Sequence, residues 1–154
     1  MNFERRSLPS FVVIGKEGST DDGEGFVGRL WEDANAHFGE VAPLAQKDEN
    51  GDLCGIWGAM SDMGRTFMPW ENAFTRGLYL AGVQCIPEAE APAGWTKWVI
   101  PAYEYLCIEC NEPDVFVRMI QYLEQQHIPL AGAVQDYTCP KTGRNYMYFP
   151  VSRR

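Results

Sequence analysis

Positive charge and histidine are scarce in this sequence. Of its 154 residues, 13 are lysine or arginine and 2 are histidine, against 21 aspartates and glutamates. The resulting net charge of −8 argues against direct nucleic-acid binding, because that binding depends on lysine and arginine at the phosphates. It also disfavours an anionic membrane surface. We therefore expect a neutral or cationic partner.

Long apolar runs and a secretory leader are also missing. No apolar stretch approaches the roughly 18 residues of a membrane-spanning helix, and no apolar segment follows Arg5 and Arg6 near the start. The five cysteines are an odd number, which without a leader indicates reduced thiols. The sequence thus predicts a cytoplasmic protein that does not associate with membranes.

Motifs for metal, nucleotide and nucleophilic chemistry are absent or incomplete. There is no glycine-rich phosphate loop, and neither His37 nor His127 belongs to a recognisable nucleophile motif. Cys107 and Cys110 form a Cys-x-x-Cys motif that we expect on a strand. Residues three apart on a strand point to opposite faces, so one metal ion cannot easily bind both thiolates. We therefore expect neither a bound metal nor a cofactor.

Aromatic residues, by contrast, are abundant. They make up 13% of the chain and include five tryptophans, and large aromatics often line ligand sites. A content of 45% hydrophobic and 22% charged residues excludes a disordered chain. The length corresponds to one domain over residues 1–154.

Hydrophobic patterning predicts the order strand, helix, strand, strand in each half of the chain. Phe26, Leu30, Ala34 and Phe38 recur every four residues, as on one face of a helix. A second such helical face comprises Phe116, Ile120, Leu123 and His127. The predicted strands are residues 11–15, 53–61, 78–83, 98–109, 133–138 and 145–151.

The repeated order predicts an α+β fold built from two duplicated modules. The modules cover about residues 11–86 and about residues 95–152. We expect an antiparallel sheet with both helices on one face and a pseudo-twofold axis between the modules. The segments Gly58-Ala59-Met60-Ser61-Asp62 and Gly132-Ala133-Val134-Gln135-Asp136 share Gly, Ala and Asp in register. Their aspartates end equivalent predicted strands and are expected to form turns.

Alternation along the predicted strands separates an aliphatic face from a tyrosine- and tryptophan-rich face. The aliphatic faces should pack against the helices. The helix-free face then collects Trp57, Tyr79, Tyr103, Tyr105, Tyr146 and Tyr148. These rings indicate either cross-strand aromatic pairs on a half-exposed sheet or a concave cleft for a flat or cationic molecule.

Four short segments, in this order, resemble the GyrI-like effector-binding domains. They are Phe11-Val12-Val13-Ile14-Gly15, Gly58 to Asp62, Trp98-Val99-Ile100-Pro101-Ala102 and Tyr148-Phe149-Pro150-Val151. The resemblance covers about residues 11–151 and implies two strand–helix–strand–strand modules with a ligand cleft between them. Such domains are the small-molecule-binding halves of multidrug-responsive transcription regulators and also occur alone. This chain shows no helix-turn-helix and so resembles the stand-alone branch.

Two tyrosines depart from the family pattern. Tyr146 stands where many members carry a glutamate, and Tyr103 stands where members often have a small residue. The acidic residues that could reach the cleft are Glu109, by strand alternation, and Glu71, in a loop that would close one rim. The predicted ligand-binding residues are Trp57, Glu71, Tyr103, Tyr105, Glu109, Tyr146 and Tyr148.

The sequence leaves three functions open. The first is binding of a small hydrophobic or cationic molecule in the aromatic cleft. The second, implied by the resemblance, is hydrolysis of reactive, cyclopropane-type natural products with a cleft carboxylate. The third is a protein-interaction module. Whether the protein is an enzyme, and whether it forms a homodimer, stays undecided at this stage.

Overall fold

The computed structural model describes residues 2–154, which form one curled sheet of eight strands with three α-helices. The strands are β1 (Glu4–Leu8), β2 (Phe11–Ser19), β3 (Ile56–Ser61), β4 (Leu78–Cys85), β5 (Thr96–Ile100), β6 (Tyr103–Glu109), β7 (Gln135–Thr138) and β8 (Asn145–Arg153). The helices are α1 (Phe26–Ala36), the single turn α2 (Glu71–Phe74) and α3 (Val115–Gln125). The predicted α+β class with an antiparallel sheet is confirmed. None of these helices is long and apolar enough to cross a membrane.

The sheet has the strand order β1-β6-β8-β7-β3-β4-β2-β5, and neighbouring strands are antiparallel. The order strand, helix, strand, strand occurs twice, as β2-α1-β3-β4 and as β6-α3-β7-β8. At the centre, β3 pairs with β7 and Trp57 lies opposite Tyr137. Helix α1 packs over β2 and β4, and α3 packs over β6 and β8 on the same face. The prediction of both helices on one face is therefore confirmed.

Short connections force the sheet to curl. Strands β5 and β6 are joined only by Pro101 and Ala102. In the strand order, however, β5 is at one edge of the sheet and β6 is the second strand from the other edge. Such a link bridges at most about 11 Å between strand ends, so the two edges of the sheet must approach each other. The helix-free face is thereby enclosed. We call it the inner face, and the helix-bearing face the outer face.

The prediction of a single strand over residues 98–109 is wrong. Pro101 interrupts it, and the two resulting strands pair with different partners, β5 with β2 and β6 with β8. The alternation restarts after the interruption. Ile100, expected to face the helices, therefore lies with Trp98 on the inner face, whereas Leu106 lies under α3 as expected.

The prediction for Tyr79 is also wrong. Its ring lies on the outer face beneath α1, where it packs against Phe26 and its hydroxyl accepts a hydrogen bond of 3.0 Å from Trp31 Nε1. Leu78 and Leu80 occupy the inner face instead. Nearly every residue of β4 is buried, and in a strand buried on both faces the pattern of polarity does not distinguish the faces.

The helical stripes contribute to the core unequally. Phe26 and Leu123 are buried as predicted. The remaining predicted helix residues are partly buried and pack against the core, namely Leu30, Phe38, Phe116 and Ile120. In α3 the buried side chains are those of Val115, Met119 and Leu123, and the first two lie one residue before the predicted positions Phe116 and Ile120.

Candidate ligand-binding site

Four aromatic side chains from three strands meet on the inner face. We call Trp57, Tyr103, Tyr105 and Tyr148 the aromatic cluster. Its ring centroids are 5.2 Å apart for Trp57–Tyr148, 5.4 Å for Tyr105–Tyr148 and 5.7 Å for Tyr103–Tyr105. The rings meet edge to face, an arrangement that stabilises by about 0.5–1.5 kcal/mol for each pair beyond its burial. The structure thus brings four of the predicted site residues into one continuous group.

The aromatic cluster contains two hydroxyl groups without a hydrogen-bond partner. Tyr103 and Tyr105 are fully buried, and within residues 2–154 nothing donates to or accepts from their hydroxyls. An unpaired buried polar group costs about 1–3 kcal/mol, so native structures rarely keep one without a reason. Because both hydroxyls are covered, a bound molecule would reach them only after the residues that enclose them move aside.

A cleft of about 590 Å³ opens at one end of the inner face beside Tyr148. We call it the Glu109 cleft, because Glu109 and Tyr146 line it together with Tyr137. The Tyr137 ring centroid lies 5.6 Å from that of Tyr148 and 6.1 Å from that of Tyr146. The cleft is therefore continuous with the aromatic cluster. Arg144 Nε lies 3.9 Å from a carboxylate oxygen of Glu109.

Glu71 lies away from these groups. It begins the α2 turn, is exposed, and does not line the Glu109 cleft. Its carboxylate accepts a hydrogen bond of 2.9 Å from the backbone N–H of Met63, and its own N–H donates to Arg76 O at 2.7 Å. The structure thus gives Glu71 a role in holding a loop.

The inner face carries another carboxylate, Glu17, which the sequence analysis missed. Trp98 Nε1 donates to it at 3.3 Å, and Arg65 forms a close ion pair with it. Only 11% of the Glu17 side chain is exposed. Glu17 follows Val13 and Gly15 in the alternation of β2, so extending the predicted strand beyond Gly15 would have placed it on this face.

One loop covers the inner face near Glu17. In this segment, which we call the 62–68 loop, Phe67 packs edge to face on Trp98 with centroids 5.8 Å apart. Phe67 O accepts from Ala133 N at 2.8 Å, and Asp62 caps the N–H of Thr66 at 2.8 Å. Arg65 and Phe67 have φ angles of 57° and 61°, which are unfavourable for residues with a side chain. Tertiary contacts therefore hold this loop in place.

Burial keeps the hydroxyls and the thiol of the inner face neutral. It raises the pKa of Tyr105 and of Tyr148 well above the usual value for a phenol. It also raises the pKa of the Cys107 thiol to about 12. At neutral pH the aromatic cluster therefore presents uncharged oxygens, and the nearby carboxylates of Glu17 and Glu109 are each paired with an arginine.

Comparisons with known proteins find relatives only among solved structures. No protein-family model matches the sequence, and no curated protein sequence matches it. SAV2435, solved with tetraphenylphosphonium bound, aligns with 16% identity and a TM-score of 0.62 over 99% of this chain and 94% of its own. A candidate bacterial transcription regulation protein from Staphylococcus aureus aligns with 18% identity and a TM-score of 0.60 over 99% of both chains. EcmrR, solved in a DNA complex, aligns with 11% identity and a TM-score of 0.60 over 99% of this chain and 58% of its own.

The chain shares its fold with these proteins. The identities are too low to show more than that, so the site rests on the geometry of this chain. That geometry joins the aromatic cluster, Glu17 and the Glu109 cleft on one face, with Glu71 outside the group.

The unpaired hydroxyl of Tyr105 leads to a prediction for the free protein. Replacing Tyr105 by phenylalanine should raise the free energy of unfolding by about 1 kcal/mol, because it removes a buried polar group without a partner. Urea denaturation measures this change. The matched control is Tyr146→Phe, whose side chain is only half-buried and whose loss of a hydroxyl should leave stability unchanged. A destabilised Tyr105→Phe variant would show that an ordered water or another group satisfies the hydroxyl.

Proposed function

We propose that this chain binds a small aromatic cation on its inner face and works as a stand-alone, GyrI-like binding protein. The observation that carries the proposal is the pair of fully buried, unpartnered hydroxyls of Tyr103 and Tyr105 within the aromatic cluster. Phenol oxygens turn their negative ends towards a cation, and aromatic faces attract it as well. The GyrI-like resemblance of the sequence supports the same ligand class.

One carboxylate of the inner face supports a cation as the ligand, although Arg65 is paired with it in the free protein. Glu17 supplies a nearly buried carboxylate, and a cation that displaces Arg65 to lie 4 Å from it interacts by about 4 kcal/mol at an effective dielectric of 20, less what the Arg65 pair contributes. A desolvated cation–π contact adds about 2 kcal/mol. The exposed Arg153 already lies over one of these rings, with its Cζ 5.1 Å from the centroid of Tyr103. The net charge of −8 further attracts cations from solution.

A structural neighbour supports the same ligand class. SAV2435 was solved with tetraphenylphosphonium, a hydrophobic cation with four aromatic rings. The five cysteines of this chain are free, and we place the protein in the cytoplasm, where thiols stay reduced. We infer a small molecule, and neither nucleic acid nor a membrane, as its partner.

Isothermal titration with tetraphenylphosphonium tests the proposal, and neutral triphenylphosphine oxide is the comparison ligand. We expect the cation to bind more tightly than the neutral compound. The Tyr105→Ala variant should weaken cation binding by about 1–2 kcal/mol because one ring of the cluster is lost. Tyr122→Ala, whose ring packs beside Phe3 against the core under α3 on the outer face, is the matched control and should bind normally. Equal binding of both ligands, or no binding of either, would contradict the proposal.

Turnover of a bound ligand and formation of a protein complex distinguish the two rival functions. Steady conversion of a bound cyclopropane-type electrophile, lost in Glu17→Gln, would indicate a hydrolase. A stoichiometric complex with another protein, formed while no small molecule binds, would indicate an interaction module.

A further inference from the structure

A second polar cavity lies on the outer face, in the gap between α1 and the paired strands β7 and β8. It has a volume of about 310 Å³, and its lining includes Trp31, Tyr79, Cys110, Asp136 and Asn145. Asp136 is next to Tyr137 in β7, and successive side chains of a strand point to opposite faces. No member of the aromatic cluster lines this cavity, although Tyr137 and Tyr146 border both it and the Glu109 cleft.

Gly58 allows Tyr79 and Asp136 to meet in this cavity. A Cβ atom on Gly58 would lie 1.9 Å from Tyr79 Oη and 3.2 Å from Asp136 Cβ. Only a residue without a side chain lets the tyrosine reach across β3 towards the carboxylate. Trp31 Nε1 donates to Tyr79 Oη at 3.0 Å, which leaves the proton of the tyrosine free to point at Asp136.

Among the described residues, Asp136 has no positively charged side chain beside it, although a partly covered carboxylate usually forms an ion pair. No lysine, arginine or histidine forms an ion pair with it in the described part of the chain. Its counterpart in the sequence repeat, Asp62, caps the turn of the 62–68 loop as expected. The turn-forming role expected for Asp136 is wrong, because Asp136 lies inside β7. Burial raises its pKa to about 6, although the neighbouring Tyr79 hydroxyl opposes that shift.

We propose that this cavity is a second binding site, which takes a small flat cation such as an amidine or a protonated amine carried on an aromatic ring. Asp136 is its counter-ion and the Trp31 ring is its apolar wall. The hydrogen bond from Trp31 holds Tyr79 in position beside the carboxylate. A cation with N–H donors supplies the positive charge that Asp136 lacks and adds hydrogen bonds to the one from Tyr79.

Benzamidinium is the probe, and the indole N–H signal of Trp31 in ¹H–¹⁵N NMR spectra is the readout. We expect saturable shifts of this signal with a dissociation constant of about 1 mM or below. Asp136→Asn keeps the shape of the side chain and should weaken binding at least fivefold. Glu90→Gln, a solvent-exposed carboxylate in the loop before β5, is the control and should leave binding unchanged. An unshifted signal at 10 mM benzamidinium, or equal affinity in Asp136→Asn, would overturn the proposal.

A titration of the wild-type protein gives a second test that does not depend on the folding of a variant. The other titratable groups lining the cavity are Cys110, Tyr79, Tyr137 and Tyr146, and thiols and phenols ordinarily titrate above about pH 8. Between pH 5 and 8 the change in charge at this site therefore comes from Asp136. We expect benzamidinium affinity to fall as the pH drops below about 6, because protonation removes the counter-ion. Affinity that stays constant over this range would contradict the proposal, whatever tetraphenylphosphonium does on the inner face.

Discussion

Replacing Gly82 by alanine is expected to lower the free energy of unfolding by about 3 kcal/mol or more. Gly82 in β4 lies directly opposite Gly15 in β2. A Cβ atom on Gly82 would lie 2.4 Å from Ile14 O and 2.8 Å from Ile14 C. Both atoms belong to the backbone, so rotating a side chain cannot relieve the strain. The loss of folding free energy should therefore be at least as large as for overpacking in a rigid core.

Urea denaturation measures the effect, and Gly28→Ala is the matched control. Gly28 lies inside α1, and a Cβ atom there would meet nothing within 4 Å. Alanine at an open helical position should raise stability by about 0.5–1 kcal/mol. The two glycine variants should therefore shift stability in opposite directions. A Gly82→Ala protein as stable as the wild type would show that β2 and β4 separate easily at this point.

The close approach of β2 and β4 bears directly on the site. Strand β2 carries Glu17 and pairs with both β4 and β5. A Cβ atom that pushed β2 away from β4 would also move Glu17 relative to Trp98, whose indole nitrogen lies 3.3 Å from the carboxylate. We therefore expect the stability and the geometry of the inner face to change together in Gly82→Ala.

Strand alternation correctly predicts which residues lie on the inner face when the two faces of a strand carry different kinds of side chain. In β6 and β8 tyrosines alternate with aliphatic or larger apolar residues, and Tyr105 and Tyr148 lie where that pattern puts them. In β4 all positions but one are buried, so the pattern gives no information about the face, and Tyr79 was placed on the wrong side. Alternate residues along a strand can therefore be assigned to a face of the sheet only when the two faces differ in chemistry.

Contacts between residues far apart in the sequence determine the curl of the sheet and decide which carboxylate lies on the inner face. Pro101 could be recognised as a strand breaker, but only the pairing of β5 with β2 shows that the chain closes across the sheet. Glu71 was a reasonable candidate as a loop carboxylate beside Trp70. Its position is determined instead by its backbone bond to Arg76 and by the hydrogen bond that its carboxylate accepts from the N–H of Met63, and sequence patterns do not encode either.

The Arg65–Glu17 ion pair suggests that the protein fills its own cation site when no ligand is bound. The 62–68 loop lays Phe67 against Trp98 and brings the Arg65 guanidinium to the carboxylate of Glu17. An aromatic ring and a cation are also the two parts of the ligand that we propose. A bound cation would therefore compete with Arg65 for Glu17.

The two partners of this pair should then affect tetraphenylphosphonium binding in opposite directions. Glu17→Gln should weaken binding by about 2 kcal/mol, or about 30-fold, because the cation loses its counter-ion in a site of low dielectric. Arg65→Ala should strengthen it by about fivefold, since a half-exposed ion pair contributes about 1 kcal/mol at most. Isothermal titration of both variants measures these changes.

A double variant and a charge-matched control make this prediction specific. In the Glu17→Gln background Arg65→Ala should have no further effect, because the competition requires the carboxylate. Arg118→Ala removes the same charge from the Glu112 pair next to α3 and should leave tetraphenylphosphonium affinity unchanged. If Arg65→Ala instead weakened binding, the 62–68 loop would be part of the ligand's binding surface, and the competition between Arg65 and the ligand would be refuted.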